Sequence, residues 1–147
     1  MSKVYEMVKE FKKKYPNTIG WRSKQHCKII DLHLNPGEDV YYAFTAQKND
    51  NFSDIFTSCV VALTNKRILI AQKRMVFGYF FCAITPDMFN DLQVEMGLIW
   101  GKVYIDTIKE KVLLSNISKK ALPEIETKVT EYMMREKKKY GLKNSPK

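Results

Sequence analysis

The sequence predicts an α+β, mainly β domain: about seven short antiparallel strands, closed by a C-terminal helix and preceded by an N-terminal helical extension. Three observations carry this. The stretch Thr57 to Gln72, TSCVVALTNKRILIAQ, joins two apolar runs at Asn65-Lys66. Its β-branched Val60, Val61, Ile68 and Ile70 are stiff at χ1 and suit a pleated, buried surface. Its runs are almost wholly apolar rather than alternating, so both faces of this hairpin are expected to be covered, one by the interior of a curved sheet and the other by a helix. Strand-length apolar runs then recur up to Ile117 between short breaks, while both ends of the chain switch to helical spacing.

At the N-terminus, Val4, Met7, Val8, Phe11 and Tyr15 recur at helical spacing with lysines and glutamates on the remaining arc, and Pro16 stops the run. Asn17 to Gly20 reads as a turn. A second helical pattern from Ser23 ends before Asn35-Pro36-Gly37, the expected boundary between an extension over residues 1–35 and the β body. Val40 to Ala46 is the first strand, followed by a polar loop from Gln47 to Ser53 that holds Lys48 and Asp50, with Asp54 just beyond. The central hairpin needs a tight turn, for which Asn65 can take the left-handed conformation. Tyr79 to Ile84 is the fourth strand, ended by a turn or short helical corner at Thr85-Pro86-Asp87. Leu92 to Met96, Leu98 to Thr107 and Lys111 to Ile117 complete the seven. Gly101 inside LIWGKVYIDTI marks a bulge, a sharp bend or a turn, and Gly97 reads as a turn in the same way. Pro123 in a first helical turn, acidic Glu124 and Glu126 near the positive end, and the stripe Leu122, Ile125, Val129, Tyr132 and Met133 define the closing helix. The body is placed at 36–140, and 141–147 is expected to be a disordered tail.

At 147 residues, 45% of them apolar, the chain can close a single core without a metal or disulfide staple. The three cysteines, Cys27, Cys59 and Cys82, are an odd number set far apart, and read as buried, reduced thiols. No uncharged apolar run of about 18 residues occurs and the N-terminus is charged every few positions, so neither a membrane span nor a signal peptide is expected, and a cytoplasmic location is. The net charge of +9 is unevenly spread: residues 1–37 hold 8 basic and 3 acidic groups, residues 38–116 hold 8 and 9, and residues 117–147 hold 9 and 4. The body is thus about neutral and the excess sits at the ends. Lysine richness fits a bacterial or phage source.

The order of seven short strands and one amphipathic helix resembles a pleckstrin-homology-like (PH-like) barrel. In particular, Pro36-Gly37-Glu38-Asp39-Val40, Leu63-Thr64-Asn65-Lys66-Arg67-Ile68-Leu69-Ile70, Leu98-Ile99-Trp100-Gly101-Lys102-Val103 and the closing helix are similar to the bacterial PH-like family often termed YokE-like. The LTNKR hairpin also occurs in the related GRAM domains. The resemblance covers about residues 36–138 and implies a barrel with one end plugged by the last helix, and a binding role rather than catalysis. Phosphoinositide-binding members place several cations on the first two strands and their connecting loop. This chain offers only Lys48 there, beside Asp50 and Asp54, which argues against polyphosphate recognition.

The residues themselves offer little catalytic chemistry. His26, Cys27 and His33 lack a second ligand pair at zinc spacing, so no metal is expected. No cofactor loop is present, since six glycines are scattered. No nucleophile sits in a recognisable turn motif, and the pairs Glu10–Lys12 and Glu126–Lys128 fit solvated helix faces. Lys12, Lys13, Lys14, Lys66, Arg67, Lys73 and Arg74 are the candidate contacts for an anionic surface. Trp21, Trp100, Tyr41, Tyr42, Phe80 and Phe81 are not interleaved with Arg or Lys along the chain, so they read as core or helix-docking aromatics rather than a base-stacking platform. The expected function is a non-enzymatic interaction module for a protein partner or a second copy, through a strand edge or the groove beside the last helix. A peripheral adaptor holding anionic lipid through basic terminal helices is the alternative, and nucleic-acid binding, which rests on pI alone, is the weakest.

Overall fold

The computed structural model describes residues 2–18, 20, 22–48, 58–74 and 77–144. Trp21, Asp50, Asp54, most of the polar loop, and tail residues 145–147 therefore lie outside the described residues. Helices α1 (Lys3–Lys14) and α2 (Ser23–His33) precede strands β1 (Val40–Gln47), β2 (Ser58–Thr64), β3 (Ile68–Lys73), β4 (Tyr79–Ile84), β5 (Phe89–Met96), β6 (Trp100–Thr107) and β7 (Lys111–Ser118). Helix α3 (Leu122–Asn144) closes the chain. The strands form one antiparallel sheet in the order β4-β3-β2-β1-β7-β6-β5. It curls into a half-barrel whose bend falls where β1 meets β7 through the single register pair Gln47–Ser115.

Both faces of the central hairpin are covered. Cys59, Val61, Leu63, Ile68 and Ile70 point into the concave side, where they meet Leu122, Ile125, Val129, Tyr132 and Met133 of α3. The alternate residues Val60, Ala62, Leu69 and Ala71 lie on the convex side with Val4, Val8, Cys27, Ile29 and Ile30 of α1 and α2. The period-2 alternation of a strand thus serves two apolar layers at once. The apolar stripe of α1 is used up on the domain itself. His26 secures α2 further: its Nδ1 accepts the Lys73 backbone N–H at 2.7 Å.

The hairpin turn is not made by a left-handed Asn65; among the described non-glycine residues only Arg22 and Asn116 have positive φ. Instead, Thr64 Oγ1 accepts the backbone N–H of Lys66 and of Arg67, each at 3.1 Å. This hydroxyl-capped turn frees Asn65 to bridge back to the chain before β1, with Oδ1 accepting Asp39 N–H and Nδ2 donating to Gly37 carbonyl. Arg67 meanwhile turns inward. Its Nε and one terminal nitrogen form a forked pair with the Glu38 carboxylate at 3.0 and 3.2 Å, and that terminal nitrogen also donates to the His33 carbonyl at 2.7 Å. The Glu38 side chain is fully buried and Arg67 only 18% exposed. Thr64 Oγ1 at 2.6 Å and Asn35 N–H at 3.0 Å complete the carboxylate's partners.

Three further departures from expectation have local causes. The bulge near Gly101 belongs to β7, where left-handed Asn116 adds a residue between the pairs Gly101–Ile117 and Val103–Leu114. Gly101 is required for another reason: a Cβ there would lie 2.4 Å from Cδ1 of Leu122, the first residue of α3. Strand β6 begins at Trp100, not Leu98, because Leu98 and Ile99 form the β5–β6 turn. Finally, α3 runs to Asn144 where a tail was expected from 141. A lone Gly141 weakens a helix by about 1 kcal/mol but does not block it as Pro146 would.

Two predictions follow from this architecture. Gly101→Ala should destabilise the fold by about 1–3 kcal/mol in urea unfolding, with a smaller loss when added to Leu122→Ala than to wild type, because the second change vacates the space. For Glu38, burial alone would raise the carboxyl pKa, but bonds from Arg67, Thr64 and Asn35 outweigh it and hold the pKa below the ordinary 4.5. A lowered folded-state pKa gives stability that is complete above the unfolded value and is lost as pH falls through the folded value. Glu38→Ala should cost about 3–5 kcal/mol at neutral pH, and Glu38→Gln should flatten the loss of stability below about pH 4.5.

Candidate binding groove

The seven predicted cationic contacts lie on three segments of the chain. Lys12, Lys13 and Lys14 sit in the last turn of α1, Lys66 at the β2–β3 turn, and Lys73 and Arg74 at the opposite end of β3. Several are also committed: Lys12 donates to Gly20 carbonyl at 3.2 Å, Lys14 pairs with Glu124, and Arg67 is held by Glu38. Lys13, Lys66 and Arg74 are exposed. Lys48, the one cation of the first loop, lies 3.2 Å from the centroid of the Phe80 ring, and burial lowers its pKa.

The structure instead assembles a groove that the chain order conceals. Two adjoining clefts, of about 530 and 350 Å³, are both lined by Tyr41 and Tyr42. Consecutive strand residues normally point to opposite faces. Here the β1–β2 pairing slips between Val40 and Tyr42, so that Tyr41 is the extra residue of a bulge and the alternation breaks. On one side, the groove is walled by Lys3, Met7, Glu10, Phe11 and Lys14 of α1; on the other, by Lys128, Glu131, Tyr132 and Arg135 of α3.

Tyr42 is the fixed half of the pair. Its ring packs against Phe44 and Phe11, and its Oη donates to Glu124 at 2.7 Å. Burial, then the bond to the Glu124 carboxylate, push the Tyr42 pKa far up, so it remains a protonated donor. Burial would raise the Glu124 pKa, but bonds from Lys14 and Tyr42 outweigh it and set the value low. Tyr41 is the available half, 52% exposed. The Arg135 guanidinium lies beside it and Tyr132, 5.6 and 5.8 Å from the two ring centroids, and Lys128 lies 5.9 Å from the Tyr42 ring. Tyrosines and cations that are separate in sequence are thus brought next to one another in space. Lys3, Lys13, Lys14, Lys128 and Arg135 line the two clefts together with Glu6, Glu10, Glu124 and Glu131, five cations and four carboxylates.

The remaining reactive groups are occupied elsewhere. Burial pushes the thiols of Cys27 and Cys59 up to about 12. His33 stacks on Phe81 at 3.9 Å and its Nε2 shares a hydrogen bond with Tyr79 Oη at 3.0 Å. Among the described residues, no three His, Cys, Asp or Glu side chains come together as metal ligands. No helix among them is long and apolar enough to cross a membrane.

With the curled seven-stranded sheet and its packed terminal helix in view, the comparison with protein families is decisive. The family model for the bacterial PH domain matches residues 34–131, about two thirds of the chain. The chain belongs to the bacterial PH domain family. No curated protein and no solved structure matches it. Membership in this family supports a binding module in general, and the bacterial PH domain here carries its N-terminal helices as an outer layer beyond the matched segment.

Tyr42→Phe should remove the donor to Glu124. It is expected to cost about 1–2 kcal/mol in chemical unfolding and to raise the Glu124 pKa toward the ordinary value in a carboxyl NMR titration, with the groove's aromatic packing kept.

Proposed function

We propose that this bacterial PH domain is a non-enzymatic interaction module whose Tyr41–Tyr42 groove receives a segment of a protein partner, including a second copy of the chain. The observation that carries this is the shared lining of the two clefts by an anchored Tyr42 and an accessible Tyr41 next to Arg135. Tyrosine and arginine at the centre of a groove are the side chains that dominate protein interfaces, because they bury large area at little cost in side-chain entropy. The near balance of charge across the groove suits a polypeptide bearing both signs. A groove so nearly balanced lacks the strong positive charge on which nucleic-acid binding relies. The lipid alternative through basic terminal helices is less favoured, since the apolar stripe of α1 lies against its own sheet and its lysines are partly committed. The glutamate-led first strand and the LTNKR hairpin support a place in the YokE-like branch, and the free cysteines fit a reducing cytoplasm.

A photo-crosslinking amino acid at position 41 should capture a polypeptide in cells. Tyr41→Ala with Arg135→Ala should reduce affinity for that polypeptide by about tenfold or more while leaving the thermal midpoint near wild type. Unchanged affinity of the double variant for that polypeptide would overturn the assignment, and light scattering of the purified chain would show whether the captured partner is the protein itself.

A further inference from the structure

The β5–β6 turn is unusual in its composition. The Gly97 backbone N–H donates to Trp100 carbonyl at 3.0 Å, closing a two-residue tip made of Leu98 and Ile99. Such tips are usually polar; Leu98 and Ile99 do not have positive φ, so this turn needs no Gly or Asn for its backbone, and its unusual feature is the apolar character of its exposed side chains. Here Leu98 is 91% exposed, Ile99 62% and Met96, two residues before Leu98, 64%. An apolar tip on a hairpin that local propensity would make polar is an inconsistency of the kind found at functional sites.

The surroundings are basic. Trp100 pairs in register with Ser118, which is followed immediately by Lys119 and Lys120. Lys102 lies on β6 opposite Glu95, whose carboxylate also accepts the Tyr104 hydroxyl at 3.2 Å. The Trp100 indole is half-exposed, and its Nε1 donates to the carbonyl of Asn17 at 2.8 Å, so its N–H is already satisfied.

Size separates the two plausible occupants. Three side chains at one tip present an apolar patch on the order of a few hundred Å², smaller than the roughly 800 Å² that each partner of a standard-size specific protein interface buries. A bilayer makes no such demand, because it closes around a protruding side chain and places its acidic headgroups beside the flanking lysines. We propose that the Met96–Ile99 hairpin tip is a contact site for an anionic lipid bilayer: Leu98 and Ile99 enter the headgroup–acyl boundary and Lys119 and Lys120 hold the phosphate and carboxylate groups. This goes beyond the protein-binding groove and uses other residues.

The test is co-sedimentation of the full chain with phosphatidylcholine vesicles, with and without phosphatidylserine, at low and high salt. Wild type should bind only the phosphatidylserine vesicles and be released by salt. Leu98→Ser with Ile99→Ser should lower partitioning by about tenfold or more, and Lys119→Gln with Lys120→Gln by about tenfold. These positions carry little or no core packing, so an unchanged thermal midpoint is expected. Tyr41→Ala with Arg135→Ala should bind vesicles as wild type does, which separates failure here from failure of the groove assignment. The proposal is overturned by absence of wild-type binding or by binding that ignores the tip variants. It is equally overturned by loss only with Lys12→Gln, Lys13→Gln and Lys14→Gln, or if the tip variants instead turn an oligomer into a monomer in light scattering.

Discussion

The forked pair between Arg67 and Glu38 is the tie on which the arrangement of the domain depends. Its bonds reach the end of α2 through His33 carbonyl, the turn before β1 through Asn35, and the β2–β3 hairpin through Thr64. The backbone carbonyl of Arg67 also accepts the Tyr132 hydroxyl of α3 at 3.4 Å. A buried ion pair contributes little net stability relative to a well-packed apolar pair, because desolvation offsets most of the attraction. Its consequence here is geometric. Each bond has one acceptable direction, so the outer helix, the hairpin and the inner helix are oriented against one another at a single point.

That point lies next to the groove. Glu38 is three residues before Tyr41, and Tyr132 is both a partner of the Arg67 carbonyl and one of the two rings that hold Arg135. The tie therefore sets the separation between β1 and α3, and the bulge at Tyr41 turns both tyrosines into the gap so formed. Glu124 acts from the other end, linking the start of α3 to β1 through Tyr42 and to α1 through Lys14. A groove between a strand and a helix stays open only if their spacing is fixed independently, and these two polar links do so without filling it.

Much of the fold was legible because the sequence signals were local. Seven apolar runs, the period change at Glu38 and the stripe from Leu122 to Met133 all report burial within a short window, and burial decides the fold class. The solvent-side role assigned to Arg67 was a reasonable inference from a charged hairpin end, but its partner Glu38 lies 29 residues earlier, and no local pattern reveals that pairing. The same holds for the groove. Tyr41, Tyr132 and Arg135 are adjacent only after α3 has packed inside the sheet, and the bulge that exposes Tyr41 arises from the register with β2. The chain order announces a groove beside the last helix but none of the side chains that line it. Gly101 shows the intermediate case: its sequence context signalled a constraint, while the constraint itself, the Leu122 side chain above it, is tertiary.

The hairpin tip carries the argument one step further, because it places exposed apolar side chains where turns are usually polar. Elsewhere the chain places turn chemistry where turns occur: Thr64 caps the β2–β3 turn, Gly37 and Gly78 adopt positive φ, and Thr107 Oγ1 caps the β6–β7 turn through Glu110 N–H. At β5–β6, Leu98 and Ile99 stand where those residues would be cheaper in free energy and more soluble. Their side chains gain nothing from the core they do not reach. In a protein only marginally stable overall, an exposed apolar turn is a cost in water and a benefit only where water is displaced from it. The basic residues that follow Ser118 then select the surface that displaces it, since they oppose approach to a cationic surface and favour an acidic one.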